Sequence, residues 1–151
     1  MVMPNSLSVA ATLGLSSLAV FSNFGAIKVD VAAPGVAINS TIPGSEYLEM
    51  SGTSMAAPFV TEVAALVKDA NPALDAVSVK KILMETVDVK PFLAGKVKAG
   101  GIVNPQRAIK AATLSESQPL DQAIAAAKTT VPDATESLES IAAQRVRDIY
   151  V

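Results

Sequence analysis

The sequence changes its periodicity near residue 52, and this change constrains the fold more than any other feature. Before it, short apolar segments bounded by turn residues are typical of β-strands, and they lie at 6–12, 18–22, 28–33, 36–41 and 47–51. After it, apolar residues recur with helical spacing from Ser54 to Ala70, and polar residues occupy one side of the helical wheel. Short strands that lead into helices predict an α/β fold.

Two further helices are predicted in the middle of the chain. Asp75 is a favourable N-cap for a helix over about 76–87. Asn104 and Pro105 supply an N-cap and a first-turn proline, and they predict a helix over about 105–112.

Composition divides the chain into a unit over 1–112 and a polar linker with a helical tail over 113–151. Within the tail, one helical pattern covers about 120–128. Another opens with Asp133 and Glu136 at the spacing of a capping box, and its apolar residues share one side: Leu138, Ile141, Ala142, Val146 and Ile149.

Two residue types that carry much of enzyme chemistry are missing from the 151 residues. The chain has no Cys, which excludes a disulfide, a thiolate nucleophile and a cysteine metal site. It also has no His, the side chain best suited to proton transfer near neutral pH, so any hydrolase must take its base elsewhere. The formal net charge of −2 argues against a nucleic-acid partner.

The apolar stretch over 7–21 raises the question of a secretory signal. Such a signal carries basic residues before its apolar run, whereas the first basic residue here is Lys28. A secreted or anchored protein with a true signal is therefore a weaker alternative. No apolar run reaches the ~18 residues of a membrane span, and we expect no membrane partner.

Residues 51–60, SGTSMAAPFV, form the segment that carries chemistry. A serine on a glycine-containing turn at the start of a helix projects its hydroxyl, and the unpaired N–H groups there can stabilise an oxyanion. The alternative is that Thr53 or Ser54 is only the N-cap of the helix. Physical reasoning alone leaves both interpretations open.

Seven consecutive residues, Gly52-Thr53-Ser54-Met55-Ala56-Ala57-Pro58, resemble the nucleophile signature of the subtilisin-like serine proteases, or subtilases. Flanking segments resemble the family in the family's order: Pro4-Asn5, Ser8 to Thr12, Phe21 to Gly25, Val29 to Val36, Ser40-Thr41 and Gly100 to Asn104. The resemblance covers about residues 3–112. It implies a mostly parallel sheet of few strands with flanking helices and a long buried helix after Ser54, and the helical tail follows.

The resemblance also implies roles for the motif residues. Ser54 corresponds to the nucleophile, and its own backbone N–H helps to form the oxyanion hole. Met55 resembles the family's oxidation-sensitive methionine beside the nucleophile, although core packing explains it equally well. Gly52, Thr53 and Pro58 support the motif.

The chain departs from the family pattern in its other catalytic residues. The family's acid lies in an Asp-Ser/Thr-Gly context and is followed by a His-Gly-Thr segment, and both precede the serine. Asp30 lies in a different context, resembling a strand aspartate, and every other Asp follows Ser54. Neither Asn5 nor Asn23 corresponds to the family's oxyanion-hole asparagine. The chain is thus expected to match the C-terminal half of a subtilase catalytic domain and to be inactive alone.

A non-catalytic interaction module or pseudo-protease fragment on the same scaffold is the alternative function. Peptide or protein substrates are expected only with an N-terminal half supplied, and self-association through an exposed sheet edge is a further expectation. No cofactor is evident, and calcium is implied by resemblance alone. The compartment is unknown from the residues, and the family suggests an extracellular one. Glu62 stands where subtilases often have a small residue, and the sequence leaves open whether it is solvated or buried.

Overall fold

The computed structural model describes residues 4–135. Its helices are α1 (Thr53–Ala70), α2 (Ala76–Glu85), α3 (Pro105–Leu114) and α4 (Leu120–Thr130). Its strands are β1 (Val9–Leu13), β2 (Ser17–Leu18), β3 (Val31–Pro34), β4 (Ile38–Ile42), β5 (Glu46–Met50), β6 (Asp88–Val89) and β7 (Gly101–Ile102). Residues 133–135 are not helical, and the rest of the helix predicted to open with Asp133 and Glu136 lies outside the described residues.

The main sheet has the strand order β2-β1-β3-β7-β6. Strands β1, β3 and β7 run parallel, and the short strands β2 and β6 pair antiparallel at the two edges. Ala32 lies at the centre, opposite Ala10 on one side and Ile102 on the other. Strands β4 and β5 form a separate antiparallel hairpin. The predicted α/β class and the mostly parallel sheet are confirmed.

Successive side chains of the parallel strands point to opposite faces of the sheet and pack in two different hydrophobic clusters. Ala11 and Val31 face a cluster to which α1, α2, α3 and α4 all contribute buried residues. Ala10 and Ala32 face the opposite side, where Leu93 and its neighbours cover the sheet. The small alanines in adjacent strands allow both layers to approach the sheet closely.

The predicted helices agree with the structure to within two residues at each described end. Asp75 caps α2 as predicted: it accepts hydrogen bonds from Ser78, which hold the pKa of its carboxyl below the usual range. The sequence did not predict β6 or the 3₁₀ helix Pro91–Leu93, because such short elements have too few residues to show a period.

The prediction that the helix after Ser54 is mostly buried is wrong. Its buried residues are Ala56, Val60, Val63 and Val67, which share one stripe, while Leu66 is 41% exposed. The physical reason is that the elements in contact with α1 are β1, β3, α2 and α3, which lie along that stripe. Phe59, Ala64 and Ala70 are partly buried beside this stripe, and the opposite side of the helix faces solvent.

The outer edge of β1 is partly occupied by the chain itself. The N–H of Ala11 donates to Ser22 Oγ at 2.9 Å, and the N–H of Ala19 donates to the Ala11 carbonyl at 2.9 Å. Further along, β2 pairs with Thr12 and Leu13. Self-association through a sheet edge stays a prediction, and these bonds shorten the length of β1 available for it.

A buried carboxylate joins the end of the described chain to the sheet. Asp88 is fully buried, and its Oδ1 accepts from Asn104 Nδ2 at 2.8 Å and forms an ion pair with Arg107 Nη1 at 3.1 Å. Its Oδ2 accepts the N–H of Ala134 at 2.9 Å. Both carboxylate oxygens therefore have partners, as a buried charge requires.

Arg107 extends this network to the segment after α4. Its Nε and Nη2 donate to the Val131 carbonyl at 3.1 and 2.9 Å, and Nη2 also donates to Asp133 Oδ1 at 2.8 Å. This hydrogen bond holds the pKa of the Asp133 carboxyl below its usual range.

Helix α4 shares the core of the preceding helices. Its buried residues are Ala123, Ile124 and Ala127, and the last two belong to the same cluster as the buried stripe of α1. The boundary at residue 112 stays a prediction, although the core continues across it. None of the helices within 4–135 has both the length and the apolar character to cross a bilayer.

The two carboxylates of this network should contribute very differently to the free energy of unfolding. Asp88→Asn removes the buried partner of Arg107, which keeps only the more exposed Asp133, and should cost about 3–5 kcal/mol. Asp133→Asn should cost less than about 1 kcal/mol because the Asp133 side chain is 58% exposed. Urea unfolding at pH 7 measures both values, and equal losses would contradict this ranking.

The Asp133 contribution should also depend on pH with a defined sign. Because its folded-state pKa is lowered, the contribution is complete above the unfolded pKa of about 3.9 and is lost as the pH falls through the folded-state value. The stability difference between the original chain and Asp133→Asn should therefore shrink as the pH falls from 5 to below 3. A difference that grows on acidification would contradict the assignment.

Candidate active site

Ser54 occupies the second position of α1, and the start of the helix leaves its polar groups free. The N–H groups of Met55 and Ala56 both donate to the Gly52 carbonyl, at 3.0 and 3.2 Å. The N–H groups of Thr53 and Ser54 are thus left without an intrahelical acceptor and lie at the positive end of the helix dipole. Ser54 is exposed, and its hydroxyl has no hydrogen-bond partner within residues 4–135.

Pro58 lies beyond the first turn of α1. Pro58 is the sixth residue of α1, beyond the first four N–H groups, which need no intrahelical partner. An N–H at this position would donate to the Ser54 carbonyl. The proline therefore removes the donor that would normally pair with that carbonyl.

Backbone hydrogen bonds fix the start of α1 against the carboxyl end of the sheet. The N–H of Gly35 donates to the Thr12 carbonyl at 3.0 Å, and the N–H of Gly52 donates to the Gly35 carbonyl at 2.8 Å. Beside them, the N–H of Ala37 donates to Ser51 Oγ at 2.9 Å. The residues on both sides of the Gly52 turn are thus held to the loop that follows β3.

Gly35 makes this approach possible because it has no side chain. A Cβ there would lie 2.8 Å from Ala11 Cβ, 2.8 Å from the Gly52 carbonyl oxygen and 3.0 Å from Ala56 Cβ. The sequence placed Gly35 only within the segment Val29 to Val36 that resembles the family, and did not connect it to Ser54. The signal available was the glycine itself, since close backbone approach is one of the reasons for glycine in a turn.

Met55 packs on the turn while remaining outside the core. The residue is half-buried, and its Sδ would lie 3.4 Å from a Cβ built on Gly52. It belongs to neither of the core clusters among the described residues. A thioether in this position is accessible to oxidants and adjacent to Ser54.

An open depression of about 440 Å³ lies beside Ser54. It is lined by Ser8, Val9, Asn23, Lys28, Val29, Thr53, Ser54 and Ala57. The loop between β2 and β3 contributes the amide of Asn23 and the ammonium of Lys28, neither of which sequence reasoning placed at this site. No carboxylate from the described part of the chain lines the depression.

Asp30 has a structural role and does not line the depression beside Ser54. It is buried, and its Oδ2 accepts the N–H of Ser8 at 3.0 Å and forms an ion pair with Lys80 Nζ at 3.1 Å. Lys80 also donates to the Ser6 carbonyl. These contacts hold α2 against the segment before β1, and they agree with the interpretation of Asp30 as a strand aspartate rather than a triad acid.

Glu62, whose environment the sequence left open, is exposed on α1. Its carboxylate is solvated among the described residues and carries no burial cost.

Comparison with known proteins identifies the scaffold. The model of the Subtilase family matches residues 2–130, which is most of the 151-residue chain. The chain belongs to the subtilase family. The match includes the GTSMAAP segment and continues through α4, beyond the span over which the sequence was seen to resemble the family.

Several subtilases are similar in sequence. Alkaline elastase YaB of Bacillus sp. (strain YaB) is 40% identical over 107 residues, which are 70% of this chain and 27% of the elastase. Subtilisin Savinase of Lederbergia lenta is 39% identical over 106 residues, 70% of this chain and 38% of Savinase. An extracellular protease of Xanthomonas campestris pv. campestris is 40% identical over 116 residues, 72% of this chain and 20% of that protease.

A solved structure agrees with the fold. A chain of the subtilase cytotoxin SubAB assembly superimposes with a TM-score of 0.65 at 32% identity, covering 77% of this chain and 39% of that one. This chain therefore spans between one fifth and two fifths of the length of the relatives named here.

Calcium, which the family resemblance implies, stays a prediction. No three acidic side chains within 4–135 come together in the way that a cation site needs. We assign calcium no role in the chemistry below.

Substitution of Gly35 should destabilise the turn that carries Ser54. Gly35→Ala places a methyl group within 3.0 Å of backbone and Cβ atoms that cannot rotate away, and overpacking of this kind costs about 1–3 kcal/mol. Urea unfolding of the two proteins measures the difference.

Gly52→Ala is the matched control. A Cβ at Gly52 comes no closer than 3.4 Å to any neighbour, so its cost should stay below about 1 kcal/mol. If the two alanine variants lose equal stability, close packing at Gly35 is not what holds the turn.

Proposed function

We propose that the chain provides the nucleophile-bearing part of a serine endopeptidase, with Ser54 as the nucleophile. The observation that carries this proposal is the exposed Ser54 hydroxyl at a helix start whose nearest N–H groups are unpaired, within the GTSMAAP segment of a subtilase. Gly52 and Thr53 form the turn, Met55 packs on it, and Pro58 leaves the Ser54 carbonyl without its helical partner.

The proposed reaction is peptide-bond hydrolysis through an acyl-enzyme. Ser54 Oγ attacks the scissile carbonyl and loses its proton to a base, and the carbonyl oxygen becomes an oxyanion that accepts the Ser54 N–H. Collapse of this intermediate expels the amine, which takes the proton from the base. Water then attacks the acyl carbonyl with the same base and releases the Ser54 hydroxyl.

The base and the residue that orients it are proposed to come from sequence other than these 151 residues. The chain contains no His, and no carboxylate of the described residues lies beside Ser54. A serine hydroxyl is a weak nucleophile without an activating base. A polypeptide with the family's Asp-Ser/Thr-Gly and His-Gly-Thr segments, supplied in cis or in trans, is the partner that would complete the site.

Substrates and location follow from the same proposal. Peptides or proteins are the substrate class once the site is complete, and an extracellular location is supported by the extracellular protease among the relatives.

A non-catalytic interaction module is the second candidate, and one observation favours it. Four large apolar residues of the loop after β2 are exposed: Val20 (104%), Phe21 (48%), Phe24 (63%) and Ile27 (79%). Asn23 and Lys28 from the same loop line the depression beside Ser54. Large exposed apolar side chains concentrated in one loop are a feature of protein-binding sites.

The chain alone should lack measurable peptidase activity. Loss of the base from a subtilisin Ser-His-Asp triad lowers turnover by about 10⁶-fold, so purified chain should cleave casein no faster than its Ser54→Ala variant. Ser51→Ala is a suitable second control because Ser51 lies on the same turn and its hydroxyl is used as a hydrogen-bond acceptor.

Casein cleavage by the purified chain that disappears in Ser54→Ala and persists in Ser51→Ala would contradict the proposed dependence on a base from outside the chain.

A further inference from the structure

A groove of about 770 Å³ runs along one side of helix α2. On the helix it is lined by Val77, Lys80, Lys81, Met84 and Glu85, whose spacing of three and four residues places them on one face. Its other walls come from the N-terminal segment, the region of β6, the segment before β7 and the end of α4. The groove shares no lining residue with the depression beside Ser54.

Apolar side chains are open to solvent in this groove. Val77 is 52% exposed and Val89 is 65% exposed, and Met84 between them on the lining is only partly buried. The volume lies within the range of roughly 300–1,000 Å³ that is typical of sites for small molecules. Such sites combine apolar walls with a few polar groups that fix the orientation of the ligand.

The polar groups of the groove are mainly cationic. Four of the 12 Lys and Arg residues of the chain line it, but only one of its 14 acidic residues does. Two of the four lysines already have anionic partners: Lys81 pairs with Glu85 and Asp121, and Lys80 pairs with the buried Asp30. The other two determine which charge the groove can accept.

Lys98 and Lys128 are exposed and form no ion pair with any residue of 4–135. Their ammonium groups only donate hydrogen bonds, and the one side-chain acceptor on the lining, Glu85, already binds Lys81. A peptide would bring backbone N–H groups that need acceptors. A hydrocarbon chain with an anionic head brings no donor, so it matches this lining better than a peptide does.

We propose that this groove binds a long-chain fatty carboxylate as a free monomer. The hydrocarbon chain lies along Val77, Met84 and Val89, and the carboxylate pairs with Lys98 and Lys128. Burial of the chain supplies most of the affinity, and the two ammonium groups select the charge of the head. This inference does not depend on the proposed function of Ser54.

Isothermal titration calorimetry of the full chain tests the binding, with dodecanoate at pH 8 below the concentration at which it forms micelles. We expect saturable binding of one dodecanoate per chain. Decanoate, which is two methylene groups shorter, should bind about tenfold more weakly because each buried methylene contributes about fourfold or less. Dodecyltrimethylammonium has the same hydrocarbon chain and the opposite charge, and it should not bind.

Matched substitutions locate the site. Lys98→Met combined with Lys128→Met should weaken dodecanoate binding at least about fivefold, whereas Lys110→Met, exposed on α3 outside the groove, should not change it. Val77→Asp places a carboxylate in the groove and should abolish binding, whereas Val20→Asp lies on a loop outside it and should not. Both valines are exposed, so far-UV circular dichroism should be the same in both variants.

The proposal is overturned if dodecanoate shows no saturable binding, if the cationic amphiphile binds equally well, or if binding survives Val77→Asp or the double lysine variant. Loss of binding in Val20→Asp also overturns it, because the exposed loop after β2 would then be the site. Binding to phosphatidylglycerol vesicles without binding of monomeric dodecanoate overturns it in favour of a membrane surface. One dodecanoate per chain, with losses only in the groove variants, is the expected result.

Discussion

The geometry at Ser54 depends on a residue that has no side chain. Gly35 brings the end of β3 close enough for its carbonyl to accept the Gly52 N–H at 2.8 Å, while its own N–H donates to Thr12 at 3.0 Å. Any larger residue would overlap Ala11 and the Gly52 carbonyl. The start of α1, and with it the unpaired N–H of Ser54, is therefore positioned by the sheet itself rather than by contacts of the serine.

A second constraint acts at β6, an edge strand of the main sheet. The fully buried Asp88 has partners from α3 and from the segment after α4. Buried charges are unfavourable without such partners, so the segment after α4 stabilises the sheet edge that carries Asp88. This couples the region beyond residue 112 to the family scaffold, in keeping with a family match that reaches residue 130.

The sequence predicted those features that depend on neighbours along the chain. Helix ends at Asp75 and Asn104 follow from capping, and both side chains accept the expected N–H. The position of Ser54 at a helix start follows from the motif. Features set by contacts between distant residues were not predictable: the pairing of Asp88 with Arg107, the packing requirement at Gly35 and the side of α1 that is covered.

The central claim is that the setting of Ser54 is already formed in this chain and lacks only its activating partners. The most direct test is labelling by a fluorophosphonate probe, with the modified residue located by mass spectrometry, before and after addition of a polypeptide that carries the family's Asp-Ser/Thr-Gly and His-Gly-Thr segments. We predict labelling at Ser54 only after the addition, and none in Ser54→Ala. Equal labelling of the chain alone, or no labelling in a complex shown to form, would contradict the claim.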